Sequence, residues 1–181
     1  FPVTKTLEGV FAVYQKFLGG SFSYGTPPGA WHPDVKGIEV SDTSTGAVLG
    51  HIVLDLYPRP NKYSHACHLG MRPSLKRNGS IMQSSVGVVI ANFPKATADQ
   101  PALLKINDVQ TFFHEFGHAM HYVLGATELA SCAGTNVKYD FVEMPSQMFE
   151  EWFYEPSVLT KISHHYLTGK PLSSEHIQRL L

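Results

Sequence analysis

The chain has 181 residues, 43% of them hydrophobic and 16% charged, with a formal net charge of -1. That balance describes one globular domain with a real core rather than a disordered tail, and it offers no electrostatic reason to expect nucleic acid or an anionic membrane as a partner. No apolar run approaches the about eighteen residues of a membrane span, and two cysteines, Cys67 and Cys132, make no disulfide framework, so reduced thiols in a cytosol-like compartment are expected.

The sequence opens FPVTKTLEGV, with neither an initiator Met nor a signal-like stretch. It ends LSSEHIQRLL, where Ser173 or Ser174 is placed to cap a short helix. Both ends read as cut, so the expectation is a single segment, residues 1–181, of a longer protein whose remainder is missing. In TKTLEGVFAVYQKFLG, Leu7, Val10, Phe11, Tyr14, Phe17 and Leu18 recur at helical spacing, and Gly19 and Gly20 close the segment. SYGTPPGAWHPDVKG, rich in Pro and Gly, reads as loop. A β-hairpin follows: Ile38 and Val40 alternate on one arm, Ile52, Leu54 and Leu56 on the other, around the turn-prone Ser41–Gly46. A turn at Arg77–Gly79 precedes the β-branched run IMQSSVGVVIANF, which Pro94 terminates. His65 and His68, between these strands, have two readings, support of a site or a structural role, and the structural one is the commoner for a lone histidine after a strand. From Val109 the hydrophobic period becomes helical. Strands first and helices afterwards predict an α+β class, with a small antiparallel or mixed sheet in the N-terminal half followed by packed helices.

The chemistry concentrates in TFFHEFGHAMHYVLG. Asn107 or Asp108 is placed to cap this helix and Gly125 to stop it. His114 and His118 stand four apart, so they project from one face about a turn apart and their imidazoles can converge on one ion at about 2.0–2.1 Å. Glu115 is rotated by about 100° from His114 and can flank the ion without ligating it. This is the H-E-x-x-H arrangement, in which zinc acidifies water and polarises a carbonyl while the glutamate moves the proton. The competing reading is a pair of hydrogen-bonded core histidines, since such a match arises by chance in a histidine-rich chain. His121 shares the face but lies about 10 Å along the axis from His114, too far for one helix to wrap all three around a tetrahedral ion. It is expected to support the ligands from behind or simply to pack.

A third ligand must come from elsewhere, and YDFVEMPSQMFEEWF offers one. Asp140 and Glu143 have capping-box-like spacing ahead of Phe149, Trp152 and Phe153, with Pro145 expected in the first turn or just before the helix starts. Glu143, Gln147 and Glu151 form an i, i+4, i+8 row. A carboxylate from this row would complete a His, His, Glu site with an open position, and Gln147 would orient a ligand from one turn on. Alternatively, Glu143 does no more than cap its own helix.

Taken together, FHEFGHAMH, GTNVKYDFVEMPSQMFEEW, LDLYPRPNKYSHACH and VIANFPKATADQPALL resemble the thimet oligopeptidase, neurolysin and saccharolysin family of zinc oligopeptidases, along essentially the whole chain. The resemblance implies a zincin-like core of the gluzincin type, one zinc ion held by His114, His118 and Glu143, and Glu115 as general base. It implies short peptides as substrates, held as an added strand along VGVVIANF by backbone groups around Ala91 and Asn92, the alternative for this segment being an ordinary buried strand. It also implies a cytoplasmic or mitochondrial parent that is much longer, with an upstream helical wall and a downstream Gly- and Tyr-rich segment that stabilises the oxyanion. The segment by itself is therefore expected to be a weak or inactive metalloendopeptidase. The rival expectation is a zinc-binding fragment that acts only as a structural or interaction module.

Overall fold

In the computed structural model, which describes residues 1–181, helix α1 spans Val3–Leu18. It ends where Gly19 turns left-handed at φ 67°, a conformation that costs glycine nothing, and the Gly19 N–H closes on the Gln15 carbonyl. Its buried face carries Val3, Val10, Phe11, Val13 and Tyr14. Phe17, expected on that face, is exposed beside Trp152 instead.

Seven strands follow: β1 Gly20–Gly25, β2 Lys36–Asp42, β3 Val48–Asp55, β4 Cys67–Arg72, β5 Leu75–Arg77, β6 Ser80–Gln83 and β7 Ser85–Ile90. Five of them form a mixed sheet in the order β1-β2-β3-β7-β4, while β5 and β6 make a separate small hairpin. The expected hairpin is β2 and β3, antiparallel, with Ile38 opposite Ile52. Its turn is tied by the Asp42 carboxylate, which accepts from the Ser44 and Thr45 backbone N–H groups at 2.9 and 2.7 Å. β3 and β7 run parallel, so the chain between them must cross over; β4, β5 and β6 occupy that crossover.

The sheet differs from expectation at three places. Ser23, Tyr24 and Gly25, read as loop, belong to β1, because pairing with β2 overrides the weak strand preference of Gly and Ser. The β-branched run IMQSSVGVVIANF is two strands in different sheets, broken at Ser84. β4, unread in the sequence, pairs antiparallel with β7 and leaves its other edge free.

The rest is helical: α2 Ile106–Leu124, a 3-10 turn at Ala130–Cys132, α3 Tyr139–Glu151, a 3-10 turn at Trp152–Tyr154, α4 Pro156–Ile162 and α5 Ser174–Leu180. None of these is long and apolar enough to cross a membrane. Ser173 caps α5 by accepting the His176 N–H. Pro145 is the seventh residue of α3 rather than in its first turn. The main core lies between α1, α2 and one sheet face, where Ile38, Val40, Ile52, Leu54 and Val89 meet Phe112, Phe113 and Phe116. Tyr14 is fully buried there and donates its hydroxyl proton to the Phe113 carbonyl at 2.7 Å. The opposite sheet face carries only a small cluster of Val35, Val53 and Val88.

One buried ionic knot secures the turn after β3. Lys62 donates from Nζ to the carbonyls of Asp55, Tyr57 and Ala91 at 2.8, 2.8 and 2.6 Å and lies 2.9 Å from Asp55 Oδ1. Arg59 forks onto both oxygens of Asp55 at 2.7 Å, and Trp31 donates its indole N–H at 2.9 Å. Burial pushes the Asp55 carboxyl up, but the hydrogen bonds from Arg59, Lys62 and Trp31 outweigh it and hold the group well below the usual carboxylate range. Lys62→Met would strand three carbonyls and leave Asp55 with one cation instead of two, so it should destabilise the fold by about 3–5 kcal/mol, read from the denaturant midpoint. A loss under about 1 kcal/mol would show that the knot is incidental.

Candidate metal centre

Helix α2 is built to hold its middle rigidly. The Asp108 carboxylate accepts the Lys105 N–H at 2.8 Å at one end, and the Gly125 N–H bonds the His121 carbonyl at 3.0 Å at the other. Val109, Phe112, Phe113, Phe116, Met120 and Val123 are buried, so the helix cannot rotate without exposing a wide apolar face. His114 and His118 project from the remaining stripe with ring centroids 4.8 Å apart and planes at 86°.

Helix α3 brings the third group. Gly117 makes this approach possible: a Cβ there would lie 2.9 Å from the Phe149 ring and 3.1 Å from the Ser146 Cα. Across that contact, Glu143 Oε2 lies 3.1 Å from Nε2 of His114 and 3.1 Å from Nε2 of His118. These three residues form a group able to hold a metal ion, with one ligand atom from each lying within 4.8 Å of the others. An ion with tetrahedral bonds of about 2.0–2.1 Å sets its ligand atoms about 3.3 Å apart, so the donor set of two imidazoles and a carboxylate fits zinc. The histidine side chains are 24% and 12% exposed against 45% for Glu143, so solvent reaches the group from the α3 side.

Two further α3 side chains engage these residues. The buried Ser146 hydroxyl is bonded to the Glu143 carbonyl at 2.9 Å and to Oε2 at 3.1 Å. Glu150 Oε2 lies 3.2 Å from His114 Nδ1. They stand three and seven residues after Glu143, on one helical stripe. Gln147 and Glu151, the i+4 and i+8 neighbours, are exposed, and Gln147 bonds none of the three residues. The α3 side chains that contact His114 and Glu143 are thus Glu150 and Ser146, and Gln147 contacts neither. A run of seven residues on an amphipathic helix holds both stripes, and only the packing partner selects one.

Glu115 faces β4 and is half-buried. Burial pushes its carboxyl above the ordinary value, while His114 and the backbone N–H of His68 work the other way. Burial also pushes His118 below the ordinary histidine value, although Glu143 opposes this. His121 packs beside Phe141 with Nδ1 buried and unpartnered, and bonds none of the three residues, so it packs rather than braces. His68 lies under the site against Tyr122, at a ring distance of 5.3 Å.

Ala91 and Asn92 are not on a free edge. They follow β7, whose two sides are both paired, by β3 and by β4. The Ala91 N–H donates to the Asp55 carbonyl at 3.0 Å and its carbonyl accepts from Lys62, while Asn92 Nδ2 donates to the Tyr63 carbonyl. The Ala91 backbone and the Asn92 side chain are engaged internally, and the strand with an unpaired side near Glu115 is β4.

Comparison with known proteins matches all of residues 1–181 to the model of peptidase family M3. The chain is 38% identical to a thimet-like oligopeptidase of Dictyostelium discoideum, over the whole of this chain and 27% of that protein. It is 35% identical to saccharolysin of Saccharomyces cerevisiae and 36% identical to oligopeptidase A of Escherichia coli, again over the whole chain and over 26% and 27% of those proteins. The chain thus spans about a quarter of the length of these relatives.

Burial, with His118 and His121 close by, lowers His68 from 6.5 to about 4. Between those values the unfolded chain binds a proton that the folded chain refuses. The contribution of His68 to stability is thus complete above pH 6.5 and is lost as pH falls toward 4. The His68 ring resonances in a proton NMR titration should have their midpoint near pH 4; an ordinary midpoint would mean that the ring is not buried as described.

Proposed function

The chain belongs to peptidase family M3, and on that premise we propose that residues 1–181 supply the zinc-binding catalytic segment of a metalloendopeptidase acting on short peptides. One observation carries the reading: two imidazole Nε2 atoms from one helix turn and a carboxylate from a second helix converge within hydrogen-bond distance of one another. His114, His118 and Glu143 would hold one zinc ion, in a core of the zincin type. When bound there, zinc would supply polarisation of the scissile carbonyl and acidification of water.

The chain's own residues account for the proton and for the substrate. Glu115 is adjacent to the ligands without being one of them, and its raised proton affinity suits a base that must also give the proton back. It takes a proton from the attacking water and delivers it to the leaving amine. β4 passes Glu115 at Cys67 and His68, and its unpaired side can accept an extended peptide as a sixth strand, which selects for substrate backbone rather than sequence. Cys67 and Cys132 are both free thiols, in keeping with a reducing compartment.

The test uses the full-length protein, zinc analysis after dialysis against a weak chelator, and an internally quenched peptide. The parent should hold near one zinc per chain, and Glu143→Ala should lose it. Glu115→Gln should keep the zinc and lose about 10²–10⁴ in turnover. Turnover in Glu115→Gln close to that of the parent would remove the glutamate from the chemistry, and a metal-free parent would remove the zinc reading altogether.

A further inference from the structure

We propose that Glu150 is a positioning residue of the metal centre: its carboxylate accepts the Nδ1 proton of His114 and so holds that ring with Nε2 deprotonated and aimed at the ion. The inference rests on the zinc reading above and adds a residue to it.

A neutral imidazole carries its single proton on either nitrogen, and only the tautomer protonated at Nδ1 offers Nε2 as a ligand. His114 has Nε2 3.1 Å from Glu143 and Nδ1 3.2 Å from Glu150. The ring is thus gripped at both ends by carboxylates from the same helix. Glu143 approaches the nitrogen that must be free, so Glu150 is the group that can keep the proton on the other one. Helix geometry makes the two roles one unit: the residues are seven apart, two turns of α3, and both reach the single α2 histidine across the Gly117 contact. The next carboxylate along, Glu151, points to solvent. The partly exposed Glu150 side chain has no cationic partner: its short contact is with His114 alone. An acceptor on the distal ring nitrogen raises the basicity of the ligating one and removes rotational freedom that metal binding would otherwise have to freeze.

The experiment measures zinc affinity of the full-length protein by competition with a chromophoric chelator, for the parent, Glu150→Ala, Glu150→Gln and Glu151→Ala. Glu150→Ala should weaken zinc binding about 10–100-fold, and Glu150→Gln, which keeps volume and a weaker acceptor, should fall between it and the parent. Glu151→Ala removes the same charge one residue away and should leave affinity unchanged, separating a directed hydrogen bond from the general field. In the parent, the His114 Nδ1 proton should give a slowly exchanging low-field signal that Glu150→Ala loses. If Glu150→Ala fails to fold, Glu150→Gln carries the measurement. Parent-like affinity in a folded Glu150→Ala or Glu150→Gln, or an equal loss in Glu151→Ala, would overturn this inference alone. A parent that binds no zinc would overturn the metal reading and this inference with it.

Discussion

Everything at the candidate site depends on how closely α3 can lie across α2. His114 and His118 come from α2 and the Glu143 carboxylate from α3, and their side chains meet only if the backbones nearly touch. Gly117, one residue before His118, is where they do: any side chain there would run into Phe149 and the Ser146 Cα. The contact is held by aromatic packing. Tyr14 lies against Phe113, Phe116, Phe149 and Trp152, so α1 clamps α2 and α3 together from the side away from the histidines. Its hydroxyl satisfies the Phe113 carbonyl next to His114, which fixes the helix segment as well as the ring. The apolar residues of the motif are therefore as much part of the site as the titratable ones, because they convert helical spacing into ångström-scale convergence.

The sheet contributes a second constraint. β7 is paired on both sides, and β4 lies at the edge beside Glu115, so the open backbone lies next to that carboxylate. The Lys62–Asp55–Arg59 knot binds the turn after β3 to the end of β7 and thereby sets where the chain re-enters as β4. Burial acts on the groups here in opposite directions. It raises Glu115 and lowers His118 and His68, favouring the neutral form of each. Neutral imidazoles are what a metal needs, and a carboxyl easier to protonate is what a proton shuttle needs.

Much of this was legible from local patterning. The stops at Gly19 and Gly125, the cap at Ser173, the hydrophobic stripe of α2 and the spacing of His114, Glu115 and His118 are all properties of neighbouring residues, whereas α2 starts earlier than the expected caps Asn107 or Asp108, with Lys105 as its N-cap. The hairpin of β2 and β3 was legible for the same reason. The family resemblance extended this to Glu143, whose partners lie twenty-five or more residues away and leave no periodic trace. What local patterning left open concerns pairings over distance: β4, a short strand with a glycine; β7, where a β-branched run looks the same whether one or both sides are paired; and α3, where two stripes are equivalent until the packing partner selects one.

The sequence alone therefore determined the α+β class, the rigid histidine helix and the placement of His114, Glu115 and His118 on it, because a single helix turn dictates their relative positions. Only the tertiary structure decided which stripe of α3 faces α2, that Ser146 and Glu150 rather than Gln147 touch Glu143 and His114, that His121 packs beside Phe141, and that β4 is the strand with an open edge. Those outcomes follow from which elements pack together, and a backbone contact at one glycine or a strand paired on both sides is not written in the spacing of any one segment.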